Sequence, residues 1–129
     1  MKLLDSNTVI QYVKGHQGVV AKVKSDVEIA VPAIVVYEIE VGTIQSKQTG
    51  RRRRILSELF QEIEVVPFDS SAALAAATIR CELEARGEGI GPLDTLIAGI
   101  AVSRGAILIT SNVGEFKRIK GLRMEDWKT

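Results

Sequence analysis

Three acidic residues, Asp5, Glu38 and Asp94, sit where their neighbours give them chemistry to do. Asp5 ends the apolar pair Leu3-Leu4 and precedes Ser6-Asn7-Thr8, small polar residues suited to starting a helix. That stretch reads as strand, carboxylate, helix. In an open parallel sheet, ligands bind in the crevice beyond the carboxyl ends of the strands. Asp5 is therefore a candidate metal ligand, although taken alone it reads at least as well as a helix cap. Asp94 falls in the first turn of a helix opened by Pro92, behind the lead-in Gly-Ile-Gly. The helix dipole favours negative charge there, so Asp94 has a structural account too.

Glu38 and Glu40 share one helix. Two residues are about 200° apart on a helix, so only one of the pair faces a given site. Ile34, Val35, Ile39, Val41 and Gly42 surround the arc of Glu38. An ionised carboxylate in that company is costly unless it is paired or bound to an ion. Glu40 has Thr43 and Lys47 near its arc and can stay solvated, so the pattern leans to Glu38. Three carboxylates from separate elements make sense around a hard divalent cation. Magnesium takes oxygen ligands and keeps several waters. Such an ion activates a water and offsets charge on a phosphoryl group. The chain has one histidine, His16, and one cysteine, Cys81. That excludes a His-rich zinc site, a thiolate site and a disulfide framework.

Elements that position these residues alternate. A strand at 3–4 is followed by short helices at 9–13 and 19–24, and a β-branched strand at 27–31. Pro32 is expected at the first position of a helix running to about 47. Gln48, Thr49 and Gly50 interrupt it. A helix over 51–63 leads to a short edge strand of Val65, Val66 and Phe68, broken by Pro67. Asp69 or Ser70 caps a long alanine-rich helix over 72–86, with Leu74, Ala77, Ile79, Cys81 and Leu83 as its apolar content. Helix 93–104, buried strand 106–110, a polar turn at 111–116 and a last strand within 122–127 complete the chain. His16 is expected in a solvated loop and Cys81 in the packed core. The expected fold class is α/β, with a mostly parallel sheet, the first strand central and the fourth beside it. Residues 1–129 fit one domain.

Composition is that of an ordinary globular chain, 46% hydrophobic and 26% charged, with a net charge of +1. No run approaches the length of a bilayer span. Asp5 interrupts any secretory signal at the N-terminus, so a cytoplasmic protein with no membrane partner is expected. Charge clusters at Arg51, Arg52, Arg53 and Arg54. Four cations at a helix start oppose the dipole. The plain reading is a solvated face, and the functional one a phosphate-contacting patch.

Five motifs in register extend these observations. They are Leu-Leu-Asp-Ser-Asn at 3–7, Glu-x-x-x-Gly at 38–42, Ile-Gly-Pro-Leu-Asp-Thr-Leu-Ile-Ala at 90–98, Ile-Thr-Ser-Asn-Val-Gly-Glu-Phe at 109–116 and Gly-Leu-Arg-Met-Glu-Asp-Trp at 121–127. With this set the chain resembles the PIN-domain ribonucleases, and more narrowly the VapC-type toxins of type II toxin–antitoxin modules. The resemblance implies a PIN-like three-layer α/β/α sandwich of about five strands. It implies magnesium- or manganese-dependent cleavage of RNA, often a structured RNA such as a transfer RNA. It also implies a homodimer neutralised by a cognate antitoxin, with operator DNA reached only through the antitoxin complex.

By motif position Asp5, Glu38 and Asp94 take the catalytic, metal-holding acidic roles, and Ser6, Asn7 and Thr110 support them. Ser6 stands where the family usually has Thr. The fourth acidic region has Asn112 and Glu115. Asn112 lies two residues past the strand ending near Thr110, within reach of water beside an ion. One helical turn brings Glu115 back beside it, in the outer shell. An apolar surplus at Val9, Ile10, Val13 and the Glu38 helix is expected to line a groove for a partner helix.

Other readings fit less well. A phosphoaspartyl hydrolase needs a second Asp where Asn7 stands. A receiver domain needs an acidic neighbour for Asp5. The non-enzymatic alternative is a PIN-fold module that acts by binding antitoxin and, through it, operator DNA.

Overall fold

The computed structural model describes residues 1–47 and 50–128. Strand β1 (Lys2–Leu4) leads into α1 (Ser6–Val13) and α2 (Gln17–Ser25). Then come β2 (Ile29–Pro32), α3 (Ala33–Gln45), α4 (Arg51–Glu62) and β3 (Glu64–Val66). The rest is α5 (Ser70–Ala85), α6 (Pro92–Arg104), β4 (Ile107–Ile109), α7 (Val113–Phe116) and β5 (Arg123–Glu125). The sheet has the order β3-β2-β1-β4-β5, and every pairing is parallel. The first strand is central and the fourth lies beside it, as expected. Helices flank the sheet, and strand order reverses between β1 and β4, where α/β sheets open a crevice.

Short strands suffice because the central ones are sealed on both faces. Leu3, Leu4, Val31, Leu108 and Ile109 are fully buried. Each such side chain contributes about 1.5–3 kcal/mol. Register is direct: Leu3 pairs with Ala30 on one side and Leu108 on the other.

Several sequence expectations change. The second strand begins at Ile29, and Val27 is 95% exposed. Pro32 closes that strand, opposite Val66, and caps α3 instead of opening it. A strand end needs no N–H from proline, which is why it is tolerated there. The edge strand β3 stops before Pro67, leaving Phe68 half-buried outside it. Helix α3 ends at Gln45. The break expected at 48–49 lies outside the described residues. His16 is not simply a solvated loop residue; its Nδ1 accepts the Val19 N–H and caps α2.

Helix α5 buries Ala72, Ala76, Ile79 and Leu83, while Leu74 and Cys81 are exposed. Its small residues meet α6 closely: a Cβ on Gly99 would lie 2.7 Å from the Ala72 carbonyl and 2.7 Å from Ala76 Cβ. The expected apolar surplus on α1 is absent at Val9 and Val13, which are core residues. On α3, by contrast, Tyr37 and Ile44 are 58% and 66% exposed. Among the described residues no helix is long and apolar enough to cross a membrane.

Candidate functional site

Asp5 is at once the helix cap and the carboxylate at the strand end. Its backbone N–H continues the sheet to Ile109, and its Oδ1 accepts the Ser6 N–H at 2.8 Å. Oδ2 accepts the Thr110 hydroxyl at 2.7 Å and the Asn7 amide at 3.2 Å. The residue is 2% exposed. Burial pushes its carboxyl above the usual range, against these three hydrogen bonds.

The support for Asp5 crosses from β1 to β4. Asn7 Oδ1 accepts the Ser111 N–H, and Thr110 Oγ1 accepts the Asn112 N–H, both at 3.0 Å. Thr8 donates to the Ile109 carbonyl. Ser111 also donates to Asp126, tying the loop to the C-terminal tail. Neighbouring strand ends thus brace one carboxylate over the switch point.

Glu38 on α3 faces this cluster. Burial raises its carboxyl first, then the charges of Asp5 and Asp94, with the Ser6 hydroxyl opposing. Its Oε1 is buried and has no hydrogen-bond partner. Glu40 turns the other way, with both its oxygens 2.8 Å from Arg53 Nη1. The two side chains lie on different sides of α3, the side toward Asp5 and Asp94 being that of Glu38, and Glu40 is ion-paired and not merely solvated.

Asp94 sits in the first turn of α6. Burial, then the charge of Asp5, then that of Glu115, push its carboxyl up to about 6. The Glu115 carboxyl also lies within hydrogen-bonding reach, which favours the protonated form. Glu115 lies one turn from Asn112, whose Nδ2 donates to its Oε2 at 3.1 Å. Asp5, Glu38, Asp94 and Glu115 thus converge from four parts of the chain. Among the described residues no three His, Cys, Asp or Glu side chains close on a point tightly enough to hold an ion unaided. The set suits a cation that keeps much of its water shell, as magnesium does. An apolar groove of about 650 Å³ between α5 and α6 includes none of these carboxylates in its lining.

The four arginines differ from one another. Arg53 is committed to Glu40, and Arg51 donates to the Val13 carbonyl at 3.4 Å. Arg52 buries its Nε without a partner, while Arg54 is exposed. They are not one uniform face. Arg86 and Arg118, which bind backbone near the site, carry no mark in periodicity or motif spacing.

Comparison with known proteins identifies the family and the fold. A family model described as PIN domain matches residues 2–122. The chain is 33% identical over 127 residues to the tRNA(fMet)-specific endonuclease VapC of Salmonella typhimurium, covering 97% of this chain and 96% of that protein. It is 35% identical over 99 residues to ribonuclease VapC2 of Rickettsia felis, covering 77% and 74%. In structure it is similar to a chain of the DNA-bound VapBC complex of Salmonella typhimurium, with a TM-score of 0.91 at 33% identity over 98% and 97% of the two chains. It is also similar to a chain of VapBC2 from Rickettsia felis bound to promoter DNA, with a TM-score of 0.88 at 30% identity over 98% of each. With the acidic cluster standing at the reversal of a five-stranded parallel sheet, the chain belongs to the PIN-domain family and, within it, to the VapC ribonuclease toxins.

Proposed function

We propose that Asp5, Asp94 and Glu38 hold a divalent cation, magnesium or manganese, and that the chain uses it to hydrolyse a phosphodiester bond in transfer RNA. The observation that carries this reading is the buried Glu38 Oε1 without a partner, beside carboxylates that raise one another's proton affinity. Buried negative charge of that kind calls for a positive partner. When bound, such a cation activates a water and offsets charge on the phosphodiester.

The remaining work falls to side chains. Thr110 and Asn7 fix the direction of Asp5 by donating to Oδ2, and they favour its charged form against the larger effect of burial. The Ser6 hydroxyl favours the charged form of Glu38 in the same way, against burial and the charges of Asp5 and Asp94. Asn112 steers Glu115 toward Asp94 by its Nδ2 bond. Of the arginine run, Arg51 and Arg54 are exposed, and the Arg54 side chain makes no hydrogen bond or ion pair with the described residues. These two are the ones we assign to RNA phosphates.

The Salmonella typhimurium and Shigella flexneri relatives are both named for tRNA(fMet). Initiator transfer RNA is therefore the substrate to test first. The solved VapBC complexes on DNA support a cognate antitoxin partner, and we assign operator contact to the antitoxin and a homodimer to the toxin because the family resemblance implies them. The test presents purified chain and magnesium with initiator and elongator transfer RNAs separately. The expected outcome is cleavage of the initiator species at one site, with elongators spared. Intact RNA from folded, magnesium-loaded protein would refute nuclease function and leave antitoxin binding as its role.

A further inference from the structure

Two arginines outside the acidic cluster join the segments that carry two of its members. Helix α5 ends at a loop, residues 86–91, that has glycine at 87, 89 and 91 and delivers the chain to Pro92 and Asp94. Arg118 reaches this loop from the other side. Its Nη1 donates to the carbonyls of Glu88 at 3.4 Å and Gly89 at 3.3 Å. Arg86 answers in the opposite direction, its Nη2 donating to the Arg118 carbonyl at 2.7 Å. Its Nε also reaches the Glu88 carboxylate at 3.4 Å. The two side chains form a reciprocal clamp on backbone.

Both ends of the clamp lead to acids. The Arg118 N–H donates to the Glu115 carbonyl, and Arg118 lies between Phe116 and Ile119, both buried in the core. On the other segment, the Gly91 carbonyl accepts from the N–H and the hydroxyl of Thr95, fixing the first turn that holds Asp94. A glycine-rich loop loses more freedom on ordering than other sequences do. A four-residue helix such as α7 is marginal without tertiary support. The carboxylates they carry repel when ionised. Something has to hold these segments together.

We propose that Arg86 and Arg118 are positioning residues that set the spacing of Asp94 and Glu115 by clamping loop 86–91 to the end of α7. This rests on the metal-site reading above for its effect on cleavage, but not for its effect on the loop. The experiment compares wild type with Arg118→Ala, Arg118→Lys, Arg86→Ala and the double alanine variant. It reads amide hydrogen exchange at 88–91 in metal-free protein, melting temperature, and kcat and KM for RNA at saturating magnesium.

Arg118→Ala should speed exchange at Gly89 and Ile90 and lower kcat about tenfold, the scale of lost outer-sphere support. KM should change less than about twofold, and melting should stay near wild type. Lysine should recover part of both effects by reaching one carbonyl. The double variant should be little worse than Arg118→Ala, because both residues serve one clamp. Unchanged exchange and kcat would overturn the proposal. So would a raised KM with a flatter salt dependence at constant kcat, which would make Arg118 a phosphate contact. If Asp94→Asn leaves cleavage intact, the metal-site reading fails instead, and loop exchange still decides the clamp.

Discussion

Asp94→Asn is expected to lower RNA cleavage by about 100-fold or more while leaving the fold intact. Loss of even an outer-sphere partner costs about 10–100-fold, and Asp94 is assigned to the ion directly. The amide keeps the volume of the carboxylate and removes a charge that burial, Asp5 and Glu115 all disfavour. Metal-free Asp94→Asn should therefore melt no lower than wild type at neutral pH. Asp5→Asn should lose activity as well, but it is the less clean variant. It puts an NH2 group where Oδ2 accepts from Thr110 and Asn7, or else gives up the Ser6 cap. Frustrating those bonds should cost about 1–3 kcal/mol of stability. Single-turnover cleavage and thermal melts of both variants check this. Wild-type rates for Asp94→Asn at saturating magnesium would remove that residue from the site.

The second large effect is structural. Gly99→Ala adds a methyl group 2.7 Å from the Ala72 carbonyl and 2.9 Å from the Ala76 N. Those are helix backbone atoms, so α5 and α6 must move apart. Alanine gains about 1 kcal/mol in helix propensity over glycine. Overpacking costs about 1–3 kcal/mol. A contact this short against backbone belongs at the upper end, so steric cost wins and melting falls by roughly 5–10 °C. Helix α6 also carries Asp94, and a shift of about 1 Å at a reacting centre costs on the order of 100-fold. Cleavage should therefore fall too. A melting temperature at or above wild type would mean that the helices part without cost.

How far the chain was readable before folding depends on the kind of feature. Asp5 was legible because a strand of two leucines, a carboxylate and a run of capping residues leave few geometries. Glu38 was separable from Glu40 because helical angle alone puts them on different faces. The order of strands followed from handedness and burial. Pairings that depend on distant chain were not legible. Arg53 meeting Glu40 and Arg118 meeting Gly89 come from tertiary packing that no local pattern encodes. Cys81 and Leu74 misled because an alanine-rich helix has no clear apolar stripe, so its buried face was set by where α6 lies. Pro32 and Val27 show the usual uncertainty of strand ends, decided here by register with Val66. Glu115 beside Asp94 depended on one helical turn that the polar run 111–116 only allowed.

The most direct test of a cation among these carboxylates is the melting temperature of metal-stripped protein with and without magnesium, at about pH 5 and about pH 7.5. Asp94 is held at about 6, above its ordinary value, so the folded state binds more protons than the unfolded one between the two. Stability from this group is full below the unfolded value and is lost as pH rises through about 6. Glu38 and Asp5 shift in the same direction. Metal-free protein should thus lose stability toward pH 7.5, and magnesium, which binds the ionised carboxylates, should restore it there. The predicted result is a rise of several degrees with magnesium at pH 7.5, a smaller rise at pH 5, and little in Asp94→Asn. Equal melting with and without magnesium at pH 7.5, in protein that still cleaves RNA in chelator, would contradict the account.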